Sequence, residues 1–92
     1  MTKQSKRPKK IDGLIEIAEE NGGVVLYKSE REEAHYLNHT AAIVLELCTG
    51  ENSTEEIARL LQNTYGLSNV PHKDVETIVT QMSKLGLVQF VP

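Results

Sequence analysis

The side chains that could do chemistry are few: His35, His39, His72, the single Cys48 and scattered carboxylates. A zinc site of the H-x-x-x-H kind needs both imidazoles on one face of one helix. His35 and His39 have that spacing, but His35 falls in a segment with strand character and His39 at a helix entrance. No second cysteine supplies a thiolate partner. Cys48 closes an apolar helical run beside Leu47 and Thr49, where a small buried hydrophobe is expected and a nucleophile is not, since a reactive thiol wants basic or helix-N-terminal surroundings. The acid pairs Glu19-Glu20 and Glu55-Glu56 lie beside a turn and in a helical first turn, where they solvate the surface or oppose the helix dipole. Gly22-Gly23 has no following Lys-Ser/Thr and reads as a hairpin, so it is no phosphate loop. Neither catalysis, nor a metal, nor a bound cofactor is expected.

The elements that would position a binding site are clearer. Ninety-two residues, 39% hydrophobic and 25% charged, suit one globular domain with little material for a deep cleft. Leu14–Ala18 and Val24–Tyr27 read as strands around Asn21-Gly22, residues that tolerate the positive φ of a tight turn. After the polar turn at 29–32, Glu33–Leu37 makes a third strand, completing an antiparallel meander. The period then lengthens. Asn38 or Thr40 can cap a helix over Ala41–Cys48 that ends at Gly50. Ser53-Thr54-Glu55-Glu56 is a capping box ahead of Ile57, Leu60, Leu61 and Tyr65, with Gly66 as the stop. Val75, Ile78, Met82 and Leu85 mark the buried stripe of a third helix closed by Gly86, and Leu87–Val91 is an apolar tail that can pack back on the body. The expected fold class is α+β and winged-helix-like, a three-stranded antiparallel sheet followed by three helices.

Charge is unevenly placed. Lys3, Lys6, Arg7, Lys9 and Lys10 supply half of the ten basic residues, so residues 11–92 hold five bases against all thirteen acids, a net of −8. Residues 1–12 read as a disordered basic tail and 13–92 as the folded domain. With no span of ~18–20 apolar residues, no signal-like h-region and one cysteine, a cytoplasmic location without membrane contact is expected.

Two binding readings follow. Three helices and a hairpin can form a winged-helix DNA-binding regulator with the third helix in the major groove. That helix carries two Lys and two acids on an acidic body, which repels phosphate. The other reading is peptide capture. The third strand ends the meander, and the free N–H and C=O groups of an edge strand form a template for an added strand. The expected docking strand is Glu33, Ala34, His35, Tyr36 and Leu37, flanked on the third helix by Glu76, Val79 and Ser83. Such an edge can also pair with its own copy and give a homodimer.

Tyr36-Leu37-Asn38-His39-Thr40-Ala41-Ala42-Ile43-Val44-Leu45-Glu46-Leu47-Cys48-Thr49-Gly50 resembles the signature of the PqqD family, L-N-x-T-A-x-x-(I/V)-L-x-L-C-x-G. Ser53–Ile57 is similar to the Thr-x-x-(D/E)-I element that follows it, and Lys84-Leu85-Gly86-Leu87-Val88 to the family's closing G-L-(I/V). The similarity runs from about Leu14 to Val88. Thr49 stands where many members have Asp, and the basic N-terminus has no counterpart in the pattern. The resemblance implies a RiPP recognition element, a non-catalytic chaperone for ribosomally made precursor peptides. Such a domain binds the peptide's leader as an extra strand beside the third strand, against the third helix. Its partner would be a peptide-modifying enzyme, commonly a radical SAM enzyme. No nucleic acid is then involved.

Overall fold

The computed structural model describes residues 6–28 and 31–92. Its elements run β1 (Arg7–Lys10), β2 (Leu14–Ala18), β3 (Val24–Lys28), β4 (Arg31–Leu37), α1 (His39–Leu47), α2 (Thr54–Tyr65), α3 (His72–Lys84) and β5 (Val88–Val91). The three-stranded antiparallel sheet followed by three helices is present, in the order β2-β3-β4, so β4 is an edge. Predicted strand Glu33–Leu37 is the larger part of β4. Residues 29–30 of the predicted turn lie outside the described residues.

The β2–β3 hairpin is set by Asn21 and Gly22. Gly22 has φ 89°, and its N–H donates to the Glu19 carbonyl at 3.0 Å. The Asn21 amide accepts from the Gly23 N–H at 2.9 Å and donates to the Tyr36 hydroxyl at 2.9 Å, tying the turn to β4. Ladder pairs run Ala18↔Val24↔Leu37 and Glu16↔Leu26↔His35 on one face of the sheet. Ile17↔Val25↔Tyr36 and Ile15↔Tyr27↔Ala34 run on the other. A register irregularity follows at Tyr27/Lys28, at the end of β3.

The first face meets the helices. Val24, Leu26 and Leu37 join Val44 and Leu45 of α1, Ile57, Ala58 and Leu61 of α2, and Val75, Val79 and Met82 of α3 in one buried cluster. Each helix starts or stops where its sequence signals it. Asn38 caps α1 by accepting from the Ala41 N–H at 2.9 Å. Ser53 and Glu56 form the reciprocal capping box of α2, and Gly66 ends that helix in the left-handed conformation at φ 64°.

The N-terminus departs from expectation. Composition places Arg7–Lys10 in a disordered basic tail over residues 1–12; in the structure they form β1, antiparallel to β5 in a separate two-stranded sheet. Residues 1–5 of that tail lie outside the described residues. The reason is that Leu87–Val91 offers an apolar strand needing a partner, and the segment around Pro8 supplies one. The Pro8 ring is fully buried, the Pro8 carbonyl accepts from the Gly50 N–H at 3.0 Å, and the Lys10 N–H donates to the Cys48 carbonyl at 2.8 Å. Lys10 also pairs with Glu16 at 2.7 Å, so its charge serves the acidic body. Periodicity in a four-residue basic strand containing proline was too short to register against its composition.

Candidate functional site

The groups first considered for chemistry are dispersed. Cys48 is 2% exposed, and burial pushes its thiol up to about 12, against a smaller opposing effect of Lys10. Such a thiol supplies no thiolate near neutral pH. His39 opens α1, its Nδ1 3.2 Å from the Gly22 carbonyl and its ring edge-on to Tyr65 with centroids 6.4 Å apart. His72 opens α3 on the exposed surface, and His35 lies on β4. Among the described residues no three His, Cys, Asp or Glu side chains gather to hold a metal ion.

What the fold does build is a groove. Between the end of β4 and α3 lies a cavity of about 500 Å³, lined by Tyr36, Leu37, Asn38, Thr40, Ala41, Asp74, Thr77, Ile78, Gln81, Met82 and Leu85. Its size falls in the range of binding clefts, ~300–1,000 Å³. Leu37 and Met82 are buried beneath it, Ile78 is half-buried, and Leu85 is exposed by 41%. The lining therefore offers an apolar strip with polar groups from Asn38, Thr77 and Gln81 around it. Asp74 is the one ionisable carboxylate in that lining. Asn38 sits there because it caps α1, so the same residue that starts the helix also fixes one end of the groove.

β4 supplies the other wall. His35 and Leu37 point inward, as their pairing with Leu26 and Val24 requires, while Ala34 and Tyr36 point to the opposite face. The His35 Nε2 is buried without a hydrogen bond, though the Glu33 carboxylate lies 3.4 Å away. Of the predicted docking strand, Tyr36 and Leu37 line the cavity; Glu33, Ala34 and His35 continue the strand beyond it.

The predicted wall on α3 is not where the groove is. Val79 is 1% exposed and belongs to the core, and neither Glu76 nor Ser83 is in the lining. The stripe that faces β4 is Asp74, Ile78, Gln81 and Leu85. At 100° per residue this stripe and the predicted one lie about 165° apart, on opposite flanks of the buried residues Val75, Val79 and Met82. Ile78, which packs on the core as the sequence suggests, and Leu85, which is exposed, both line the groove. Their apolar character was the available signal: an apolar stripe wider than the core needs points to a second surface to cover.

A second, smaller cavity of about 280 Å³ lies between β2 and α1 and is lined in part by Glu16, His39 and Glu46. Two of these groups are already engaged, Glu16 by Lys10 and His39 by Gly22.

The model of the family described as coenzyme PQQ synthesis protein D (PqqD) matches residues 23–88. The chain belongs to the PqqD family. The match begins at the start of β3 and ends at the start of β5, so it takes in both walls of the groove and leaves β1 and β2 outside. Membership supports a role for this PqqD-family chain in the biosynthesis of a peptide-derived cofactor or product. No curated protein matches the chain. Among solved structures, one titled as the structure of the heterocyclase TruD matches with a TM-score of 0.67 at 17% identity, over 94% of this chain. At that identity the likeness is one of fold. The chain spans 12% of the heterocyclase's length, so there the fold is one part of a much longer chain.

Proposed function

We propose that this chain is a non-catalytic recognition domain. It captures the leader of a ribosomally made precursor peptide as a strand added to β4 and presents the peptide to a separate modifying enzyme. The observation that carries this reading is the edge position of β4 beside a groove of about 500 Å³ walled by α3. An added strand would gain backbone hydrogen bonds from β4 whatever its sequence, and its alternate side chains would enter the groove over Leu37, Ile78 and Leu85. Backbone pairing gives affinity and the apolar strip gives selection. A leader disordered before binding loses ordering entropy on docking, which keeps affinity moderate and allows release after modification.

Membership of the PqqD family supports the reading, and the radical SAM enzymes that the family's pattern implies are the partner class proposed. The occurrence of this fold within a heterocyclase chain fits a domain that works beside a larger unit. A cytoplasmic location, where precursor peptides are made, fits as well; among the described residues no helix is long and apolar enough to cross a membrane.

The test is titration of the precursor's synthetic leader into isotopically labelled protein. The largest amide shifts are expected along Glu33–Leu37 and at Ile78, Gln81 and Leu85. Ile78→Glu should weaken binding at least about tenfold, the cost of placing a charge in an apolar groove, while Ser83→Glu on the other flank leaves it unchanged. Shifts centred on α2 or on the β1–β5 sheet would overturn the assignment.

A further inference from the structure

The helices cover one face of the β2-β3-β4 sheet and leave the other bare. Its outward residues form two rows across the strands: Ile15, Tyr27 and Ala34 in one, Ile17, Val25 and Tyr36 in the other. None carries a charge, on a chain with thirteen acids. Ile15 and Tyr36 are 53% exposed, Ile17 47% and Tyr27 38%. These four alone present on the order of 400 Å² of apolar surface, at the level that marks an interaction site on a small protein. Tyr36 is held in place there, its hydroxyl accepting from the Asn21 amide beside Gly23.

We infer that this face packs against the same face of a second copy of the chain. The argument is the self-complementarity of the two rows. A two-fold axis lying between the sheets and running across the strands sets each strand over its own copy and each row over the other row. Ile15 then faces Ile17, Tyr27 faces Val25, and Tyr36 faces Ala34. Each aromatic ring meets a smaller side chain, as interdigitating sheets ~10 Å apart require. The alternative axis along the strands would set Tyr27 on Tyr27 and leave Ala34 opposite Ile15, a poorer fit. Among the described residues, the two rows themselves hold no charge that would make two like copies repel.

Area sets the strength. Two such patches bury on the order of 800 Å² between them, short of the ~1,200–2,000 Å² of stable complexes. The dimer is therefore weak and concentration-dependent. It leaves both β4 edges free and takes only Tyr36 from the residues that line each groove, unlike a pairing through the sheet edge, which would consume the edge. The inference stands whether or not the groove binds a leader.

Sedimentation velocity from about 10 µM to about 1 mM tests it, with the upper end chosen for an interface of this small size. The sedimentation coefficient should rise towards the dimer's with concentration. Ile17→Lys should sediment as a monomer throughout, with an unchanged circular dichroism spectrum, whereas Ser83→Lys should behave as the parent. Isotope-filtered spectra of a mixed labelled and unlabelled sample should link Ile15 to Ile17 and Tyr27 to Val25 between copies. A monomer at every concentration overturns the inference. So does a dimer that survives Ile17→Lys, or intermolecular contacts confined to β4 backbone atoms.

Discussion

At the scale of single residues, the capping box of α2 couples stability to pH. The Ser53 N–H and hydroxyl hold the Glu56 carboxyl below its usual range. Ser53→Ala should cost about 1 kcal/mol in a denaturant melt at neutral pH, because it frees a helix N–H. A carboxyl whose pKa falls on folding contributes stability above its unfolded value, near 4.5, and loses it as pH drops through the folded value. The difference between the parent and Glu56→Ala should therefore be full at pH 7 and shrink below about pH 4.5. Two glycines separate space from backbone conformation. A Cβ at Gly22 would collide with the His39 imidazole, whereas one at Gly66 meets nothing within 4 Å. Both have positive φ. Gly66→Ala should cost about 1–2 kcal/mol for the left-handed backbone alone. Gly22→Ala should cost more, and thermal melts of the two variants compare them directly.

At the scale of elements, the strands and helices with strong local signals were legible: Asn21-Gly22, the Asn38 cap, the capping box and Gly66 each did in the structure what their chemistry dictates. β1 was not, because its order comes from β5, the Cys48 carbonyl and the Gly50 N–H, none of which is local to it. Of the residues expected to dock a peptide, Tyr36 and Leu37 line the groove and Glu76, Val79 and Ser83 do not. That Glu33–Leu37 lies at an edge follows from strand order, which sequence reveals. Which flank of α3 faces that edge depends on the rotation of the helix about its axis, and moving the core centre from Ile78 and Leu85 to Val79 reverses the choice. The same reasoning gives a prediction for β1. Deleting residues 1–10 removes the partner of β5 and uncovers Val88, with a loss of at least about 2 kcal/mol from apolar exposure. A melt shows whether the basic segment is structural; an unchanged midpoint would mean that β1 contributes nothing.

At the scale of the whole molecule, the ordering of β1 also changes the electrostatic account. Arg7, Lys9 and Lys10 belong to the folded body, so residues 7–92 carry eight bases against thirteen acids, a net of −5. Those cations do not make a phosphate track: Lys10 is turned to Glu16, and its pKa is raised chiefly by that hydrogen bond. α3, the element a winged helix would insert into DNA, has Lys73 and Lys84 offset by Asp74 and Glu76, and its outward stripe is partly apolar. Salt then discriminates between the two ligands. Duplex binding that neutralises 6–10 phosphates loses ~10³–10⁵ in affinity between 50 and 200 mM salt. A leader paired to β4 through backbone groups, over a lining with Asp74 as its one charged side chain, releases few ions. Its dissociation constant should change by less than about threefold over the same range, since at most about one charge contact is screened. Calorimetric titration at the two salt concentrations measures this. A steep loss of leader affinity would place the contacts on charged surface away from the groove, and a strong, salt-sensitive affinity for duplex DNA would return the nucleic-acid reading.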